Sequence, residues 1–445
     1  MKNDNVAAIS TALGAAGVAV IRISGDTALS VAEKMFKPNG KVKVADFEHA
    51  KMYVGEIIAD GFSDYGMCVY FKAPNSFTGE NTVEFHTHGG TAITRGILQK
   101  ILNSGARLAT NGEFTKRAFV NGKLSLSSAE GLIDMINSEW IGGVKAGYSL
   151  YREKLSKKVE VLQDKLLDAL SEIDADMDFP EEDLQTQSAL KAESTLREVL
   201  AEIDGLLSTF NTGRVVKNGV KVGIVGKPNT GKSSLLNALL NYDKAIVSSI
   251  AGTTRDIVEG SIDYKGVRFN FFDTAGIRNA DDEIEEIGVN LSKKTVMGSD
   301  VILFVKALND VTEEDKEIFD LVKDKKVIVI GNKVDLSNDK NEKADVYISA
   351  LNGNGIEEVK ELLYKKVFGE VIDLNGEMLV EERHYEALSS AREKLQSALN
   401  ALNTVSLDIL AIDVKDGWSS LGEITGKTAT EEIIDNIFSK FCVGK

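Results

Sequence analysis

One run of eight residues, GKPNTGKS at 226–233, constrains the fold of this chain more than any other feature. It fits the pattern G-x-x-x-x-G-K-[ST] and lies between the apolar run VKVGIV and the helical pattern SLLNALLN. In such a loop, backbone N–H groups and the helix N-terminus bind phosphates, while Lys232 reaches the outer phosphates and Ser233 ligates Mg²⁺. The run therefore predicts an α/β domain that binds a nucleotide at a strand-to-helix turn.

Two later motifs each end an apolar run. DTAG follows RFNFF, which suits Asp273 to hold the water shell of Mg²⁺ and Gly276 to bring an N–H to the γ-phosphate. NKVD at 332–335 follows VIVIG, and the carboxylate of Asp335 can accept hydrogen bonds from guanine N1–H and the 2-amino group. Adenine lacks that pair of donors. With the first motif they predict a P-loop GTPase (G) domain.

The segment AGTTRD at 251–256 lies between the first two motifs, where a threonine is expected to cover the Mg²⁺ ion. We predict Thr254 for this role, with Thr253 beside it. The loop SAL at 349–351 is expected to close over the base. The predicted nucleotide contacts are Asn229, Thr230, Gly231, Lys232, Ser233, Ser234, Ser248, Ser249, Ile250, Ala251, Gly252, Thr253, Thr254, Asp273, Thr274, Ala275, Gly276, Asn332, Lys333, Asp335, Ser349, Ala350 and Leu351.

Ile277 occupies the position at which many regulatory GTPases carry the glutamine that orients the attacking water. Isoleucine cannot orient water, so another group must stabilise the charge of the transition state. Asn229, within the pattern G-x-P-N, indicates the GTPases whose switch I segment holds a K+ ion. The acidic run DEIEEIG at 282–288 offers carboxylates that position water, with an exposed helix face as the alternative interpretation.

The periodicity of apolar residues divides the chain into four parts. Short β-like runs with one helical stretch predict an α+β domain over residues 1–119, and leucines at helical spacing predict helices over 120–216. Strands alternate with helices over 217–369, which predicts a doubly wound, mostly parallel sheet. Helical spacing returns over 370–445. The simplest arrangement is one helical domain formed by both flanks, with the G domain inserted between them.

Composition narrows the class of protein. A net charge of -16 argues against strong nonspecific binding to nucleic acid, so an RNA substrate would require a basic partner or a local basic patch. The chain has no apolar run of membrane-spanning length and no targeting pattern at its start, so we expect a cytoplasmic protein without membrane contact. Two cysteines cannot form a disulfide framework, and the four histidines lack zinc spacing.

Two short segments imitate known motifs. The terminal CVGK resembles a prenylation box, but Gly444 and Lys445 do not fit its pattern, which leaves a frayed tail or a functional one. GEITGKT at 422–428 imitates the phosphate loop, but one residue is missing between its glycines and no strand precedes it. We interpret this second segment as a loop between helices.

The chain resembles the bacterial tRNA-modification GTPases of the MnmE (TrmE) family over essentially its whole length. The resemblance is carried by VIRISG, SFTGENTVEFHTHGG, GEFTKRAFVNGKLSLSSAEG, GKPNTGKSSLLN, IAGTTRD, DTAGIR, NKVD and CVGK. It implies a homodimer joined through the N-terminal domains. It also implies a heterotetramer with an FAD-dependent partner of the MnmG type. The complex would add a carboxymethylaminomethyl or aminomethyl group at C5 of wobble uridine in tRNA.

The resemblance also implies residue roles in the G domain. K+ would be held by the Asn229 side chain and by the carbonyls of Ser248, Ile250 and Thr253, and Glu285 would position the attacking water. Dimerisation of two G domains would order switch I and complete the site, so hydrolysis of GTP to GDP would depend on K+ and on dimerisation.

In the N-terminal domain the resemblance implies a site for a tetrahydrofolate one-carbon donor, the 5-formyl or 5,10-methylene derivative. Arg22, Glu84, Lys123 and Lys445 would contact it. A carboxylate suits the pterin amidine edge, and Arg and Lys suit the glutamyl carboxylates. Cys442 would bring a thiol to the one-carbon chemistry, with a buried, inert cysteine as the alternative.

The chain departs from the family pattern at three places. It has ALG at 12–14 in place of Pro-Pro-Gly, Asn111 in place of a proline before GEF, and Thr230 in place of alanine. The first two lie beside the expected folate region. Two alternatives remain at this point: a GTP-switched ribosome-assembly factor without one-carbon chemistry, and a folate aminomethyltransferase with a vestigial G domain. Intact nucleotide motifs disfavour the latter.

Overall fold

A computed structural model describes residues 4–178, 185–242, 260–273, 297–336, 343–369, 378–402 and 404–445. The chain divides into two compact units. The first contains Met1–Ile133, Leu150–Ala201 and Glu386–Lys445, and the second contains Asp134–Ser149 and Glu202–Tyr385. The bounds of the four parts predicted from sequence stay a prediction.

The first unit contains a seven-stranded mixed sheet in the order β3-β4-β5-β6-β2-β1-β7. Only the β1–β7 pair is parallel among its described strands. The strands are β1 (Asn5–Ile9), β2 (Ala19–Ser24), β3 (Phe36–Pro38), β4 (Met52–Ala59), β5 (Phe62–Phe71), β6 (Thr82–Thr87) and β7 (Ala106–Leu108). Alternate residues on β4 are buried, as the period of a half-buried strand requires. Helices α1 (Ala28–Glu33) and α2 (Thr91–Asn103) contribute to the same core.

Helices follow the sheet along the chain: α3 (Glu113–Val120), α4 (Leu126–Asn137), α5 (Ile141–Tyr151), α6 (Lys154–Asp178) and α7 (Gln185–Ser208). Helix α6 buries Leu155, Val159, Leu162 and Leu166, which lie three or four residues apart on one face, as the sequence predicts. Three more helices, α12 (Glu382–Ala401), α13 (Leu407–Thr425) and α14 (Glu431–Ser439), lie near the end of the chain. Helix α13 packs along α6.

The second unit contains a six-stranded sheet in the order β13-β12-β11-β8-β10-β9. Its strands are β8 (Val220–Val225), β9 (Gly260–Tyr264), β10 (Val267–Asp273), β11 (Val301–Ala307), β12 (Val327–Asn332) and β13 (Val346–Tyr347). Among these described strands, only the β9–β10 pair is antiparallel. Helices α8 (Phe210–Asn218), α9 (Lys232–Tyr242), α10 (Glu313–Val322) and α11 (Ile356–Phe368) belong to this unit. The predicted α+β, helical and α/β classes are therefore confirmed.

The imitation of a phosphate loop at 422–428 is partly helical, which corrects the sequence interpretation. Its first four residues form the last turn of α13, which ends at Gly426 with a left-handed φ of 94°. Only the residues from Gly426 onward form the loop before α14. Within the described ranges, every helix is too short or too polar to cross a bilayer.

Candidate functional site

The phosphate loop follows β8, and its two glycines are required by close backbone packing. A Cβ at Gly226 would lie 2.3 Å from the Val305 carbonyl oxygen, and one at Gly231 would lie 2.3 Å from Asn332 Nδ2. Gly231 also has a φ of 95°, a conformation that side chains with a Cβ adopt at a cost. The loop therefore brings its backbone against β11 and β12, where no side chain would fit.

Lys232 opens α9 and folds back over the loop. Its ammonium donates to the carbonyl oxygens of Gly226 (2.8 Å) and Lys227 (2.9 Å), and the hydroxyl of Thr230 donates to the same Lys227 oxygen (3.0 Å). Ser233 and Ser234 follow, exposed, at the start of the helix. The site thus combines a held ammonium with the N-terminus of a helix, both of which stabilise bound phosphate.

The base side of the site is connected to the phosphate side by Asn332. This buried amide donates to the Thr230 carbonyl oxygen (2.9 Å) and accepts from the Ala350 N–H (3.1 Å). The Ser349 hydroxyl donates to the Asp335 carboxylate over 2.5 Å. One side chain therefore links three of the predicted motifs, and a second orients the carboxylate that would read guanine.

Two further predicted contacts lie around the base pocket. Lys333 has a left-handed backbone with a φ of 67°, directly after the end of β12. Leu351 is 82% exposed at the tip of the loop that carries Ser349. Leu351 is therefore an exposed apolar side chain two residues after Ser349, whose hydroxyl contacts Asp335.

Most of the predicted residues of switch I and of the DTAG motif, together with Glu285, lie outside the described residues. Asp273 ends β10, but its side chain is not among those described. The positions outside the described ranges are Ser248, Ser249, Ile250, Ala251, Gly252, Thr253, Thr254, Thr274, Ala275, Gly276 and Glu285. Of the predicted K+ ligands only Asn229 is described, with a left-handed φ of 60°.

A second candidate site lies in the first unit. Arg22 on β2 and Glu84 on β6 are directly opposite, and their side chains form an ion pair of 2.8 Å. The rings of Phe77 and Phe114 each lie 5.6 Å from the Arg22 guanidinium. His86 Nε2 lies 3.5 Å from the other oxygen of Glu84. The pair is thus enclosed by aromatic groups and mostly buried.

The Glu84 carboxyl is held ionised. Burial by itself raises its pKa, but the nearby His86 ring and the Arg22 guanidinium outweigh burial and leave the pKa below its usual range. The carboxylate therefore presents acceptors to a cationic or amidine-like group, while the guanidinium beside it can bind a carboxylate.

The C-terminal tail folds back onto this region. The Phe114 N–H donates to the Lys445 carbonyl oxygen (3.2 Å), and the Gly112 N–H donates to the Cys442 carbonyl oxygen (3.4 Å). Gly444 has a φ of 102°, and a Cβ there would lie 2.4 Å from the Ile9 carbonyl oxygen. The tail is therefore ordered against the start of α3, not frayed.

The structure describes all four predicted folate contacts, and it pairs Arg22 directly with Glu84. The backbone of Lys445 contacts Phe114, whose ring packs on Arg22, so the tail lies next to the Arg22–Glu84 pair. The Lys123 ammonium instead donates to the Pro74 carbonyl oxygen (3.1 Å). Cys442 is exposed and Cys68 is buried, so the burial expected in the alternative interpretation of Cys442 is wrong.

Three side chains of this second site were missed by sequence reasoning: Phe77, Phe114 and His86. The alternation on β6 gave a signal for His86, because residues two apart on a strand share a face with each other and hence with Glu84. The two rings come from a loop and from α3, and no local pattern places either beside Arg22.

Comparison with known proteins covers the whole chain. The family model "GTP-binding protein TrmE N-terminus" matches residues 5–123, and the model "MnmE helical domain" matches residues 126–442. A relative named tRNA modification GTPase MnmE from Thermoanaerobacter pseudethanolicus is 39% identical over 99% of each chain. The relative of that name from Clostridioides difficile is 40% identical, over 100% of this chain and 99% of its own. This chain belongs to the MnmE family of tRNA modification GTPases.

The match over the full length distinguishes the MnmE family from the ribosome-assembly GTPases, which share the G-domain motifs. A solved structure of Aquifex aeolicus Era bound to GDP·AlF4− is 30% identical but covers 39% of this chain and 66% of its own, with a TM-score of 0.27. The MnmE relatives cover the N-terminal, helical and G-domain motifs together.

Proposed function

We propose that this chain binds and hydrolyses GTP to GDP with Mg²⁺ and K+ in the cytoplasm, and that hydrolysis drives a tRNA modification. The observation that carries the proposal is the position of Asn332, which joins the phosphate loop to the loop that orients Asp335. This connection holds the phosphate-binding and guanine-binding groups in one rigid frame. Ser233 and Thr254 would hold Mg²⁺.

The K+ dependence is proposed from Asn229, whose left-handed backbone lies within the phosphate loop. An ion held by its side chain and by the carbonyls of Ser248, Ile250 and Thr253 would supply positive charge at the leaving phosphate. Two G domains would meet to complete the site, and Glu285 would position water. Phosphate release measured in K+ and in Na+ at equal ionic strength tests this. Equal rates would contradict the K+ role.

The tRNA substrate is proposed to be wobble uridine, modified at C5 together with an FAD-dependent partner of the MnmG type. A homodimer of this chain would form a heterotetramer with that partner, which would supply the positive charge that this acidic chain lacks. A mass spectrum of tRNA nucleosides from cells lacking the chain tests the proposal. Unchanged wobble uridines would refute the substrate.

The one-carbon donor is proposed to be a tetrahydrofolate derivative, 5-formyl or 5,10-methylene, bound beside Arg22 and Glu84 with Lys123 and Lys445 at the edge of the site. The ionised carboxylate suits the pterin amidine edge, and the Phe77 and Phe114 rings offer faces for stacking. Calorimetric titration of 5-formyltetrahydrofolate tests it. Glu84→Gln should weaken binding at least tenfold, because a charge-assisted pair becomes neutral.

Cys442 is proposed to serve the one-carbon chemistry, since its thiol is exposed on the ordered tail. Cys442→Ser keeps the size of the side chain and removes the thiol, so tRNA modification in cells should fall sharply while GTP hydrolysis is unchanged. Full modification by the serine variant would leave the tail with a structural role alone.

A further inference from the structure

Lys227, the second residue of the phosphate loop, has a side chain that turns away from the nucleotide position. Its ammonium lies 3.2 Å from Asp310 Oδ2 and 3.3 Å from Asp315 Oδ2, and it also donates to the Asp310 carbonyl oxygen and to the Thr312 hydroxyl. The lysine is 5% exposed and Asp315 is 3% exposed. A lysine this buried is held by its partners, because a solvated one would remain at the surface.

The partners of Lys227 form the N-terminal cap of α10. The Thr312 N–H donates to Asp315 Oδ2 (2.9 Å), and Thr312 and Asp315 form a reciprocal capping box. The second carboxylate oxygen, Oδ1, is buried and has no hydrogen-bond partner within the described ranges. Asp315 therefore depends on the Lys227 ammonium to balance its buried charge.

The backbone of Lys227 contacts the phosphate-binding groups. Its carbonyl oxygen accepts from the Lys232 ammonium (2.9 Å) and from the Thr230 hydroxyl (3.0 Å). The residue is thus fixed to α10 by its side chain and to Lys232 by its backbone. A shift of the side chain would move the carbonyl that positions the phosphate-binding ammonium.

We propose that Lys227 is a positioning residue for GTP binding and hydrolysis, and that it fixes the phosphate loop to α10 through Asp310 and Asp315. This inference rests on the proposed GTPase function. Burial disfavours the charged ammonium, but the bonds to the two carboxylates outweigh it and raise the pKa of Lys227, so the ammonium is charged at neutral pH.

The experiment measures affinity for fluorescent mant-GDP with the full-length chain. Lys227→Met keeps the length of the stem and removes the charge, so we expect the dissociation constant to rise at least tenfold, mostly through faster release. Lys227→Arg should recover most of the affinity. The matched control is Lys323→Met on α10, whose exposed pair with Asp320 should leave affinity within twofold of the wild type.

A double-mutant cycle tests whether the two groups act together. Asp315→Asn alone should weaken mant-GDP binding several-fold, and adding it to Lys227→Met should weaken binding little further. Full additivity of the two effects would overturn the proposal. So would an unchanged dissociation constant for Lys227→Met.

Two readouts separate positioning from a general loss of folding. The preference for mant-GDP over mant-IDP should be unchanged in Lys227→Met, because the Asp335 side of the site is intact. The kcat at saturating GTP should also fall about tenfold, because Lys232 is displaced from the transferring phosphate. A variant that loses base preference together with affinity would overturn the positioning role. Absence of mant-GDP binding by the wild type would instead overturn the proposed function.

Discussion

The two candidate sites of this chain are built in different ways. The nucleotide site consists mainly of backbone: a glycine-bounded loop, a helix N-terminus and two strand ends, each produced by a short contiguous motif. The site around Arg22 and Glu84 consists of side chains from β2, β6 and α3, with the backbone of the last residues packed against α3. Each part of the first site comes from a short contiguous motif, whereas the second site is assembled from residues hundreds of positions apart.

The two sites therefore differ in which mutations they tolerate. A backbone site is lost when a glycine gains a Cβ, because the backbone cannot move away from β11 and β12. A side-chain site is lost when the packing that brings distant segments together is disturbed. Four predictions challenge or refine this contrast, and the largest expected effect comes first.

The largest effect is expected for Lys232→Ala. Removing the ammonium that lies over the phosphate loop should lower kcat for GTP hydrolysis by about 100-fold to 1,000-fold, since a preorganised donor to the transition state is lost. Phosphate release at saturating GTP measures it. Binding of 5-formyltetrahydrofolate should be unchanged. A variant within threefold of the wild type would mean that this lysine is not part of the site.

A matched pair of glycine variants tests whether the two sites fail independently. Gly231→Ala places a Cβ 2.3 Å from Asn332 Nδ2 and should weaken mant-GDP binding by about 100-fold, equivalent to ~3 kcal/mol, while sparing folate binding. Gly444→Ala places a Cβ 2.4 Å from the Ile9 carbonyl oxygen. It should weaken folate binding and spare mant-GDP binding. Loss of both ligands in either variant would contradict the contrast between the sites.

The third prediction concerns a charged cluster that the second unit assembles from distant residues. Lys217 lies 2.9 Å from Asp134 Oδ1 and also pairs with Glu381. Burial, followed by the neighbouring Glu381 charge, raises the pKa of Asp134 to about 8, although Lys217 opposes the shift. A carboxyl whose pKa is raised on folding contributes stability below its ordinary pKa, and this contribution is lost as the pH rises toward about 8.

Asp134→Asn removes that titration while keeping the shape of the side chain. The free energy of unfolding of the wild type, relative to the variant, should therefore fall by about 1–2 kcal/mol between pH 6.5 and 8 and level off above that range. Denaturant unfolding at a series of pH values measures the difference. A difference that is constant with pH would show that Asp134 is ionised in the fold.

The smallest effect is expected for Ser349→Ala. This change removes one hydrogen bond to the Asp335 carboxylate and leaves the backbone of the loop intact. We expect mant-GDP affinity to fall about fivefold, equivalent to ~1 kcal/mol, with a weaker preference over mant-IDP. Competition binding of the two nucleotides measures both quantities. An unchanged preference would mean that Asp335 is oriented by the backbone alone.

Much of the fold could be predicted from the sequence. The order of sheet, helices, α/β domain and helices follows from changes in apolar period, and the family and its GTP hydrolase class are confirmed by relatives that match from end to end. The 422–428 segment shows where such reasoning fails. The motif spacing predicts a loop over the whole segment, yet its first four residues form the last turn of α13, because a helix end depends on packing as well as composition.

The nucleotide site could be predicted from the sequence because a phosphate loop is formed by residues close together in sequence. Its glycines, its lysine and the following helix are neighbours along the chain. Only the tertiary structure decided that Phe77 and Phe114 enclose Arg22, that the tail is seated on α3, and that Lys227 points into the cap of α10. These contacts join segments that are distant in sequence. No local propensity specifies them, and burial of the whole core is what brings them together.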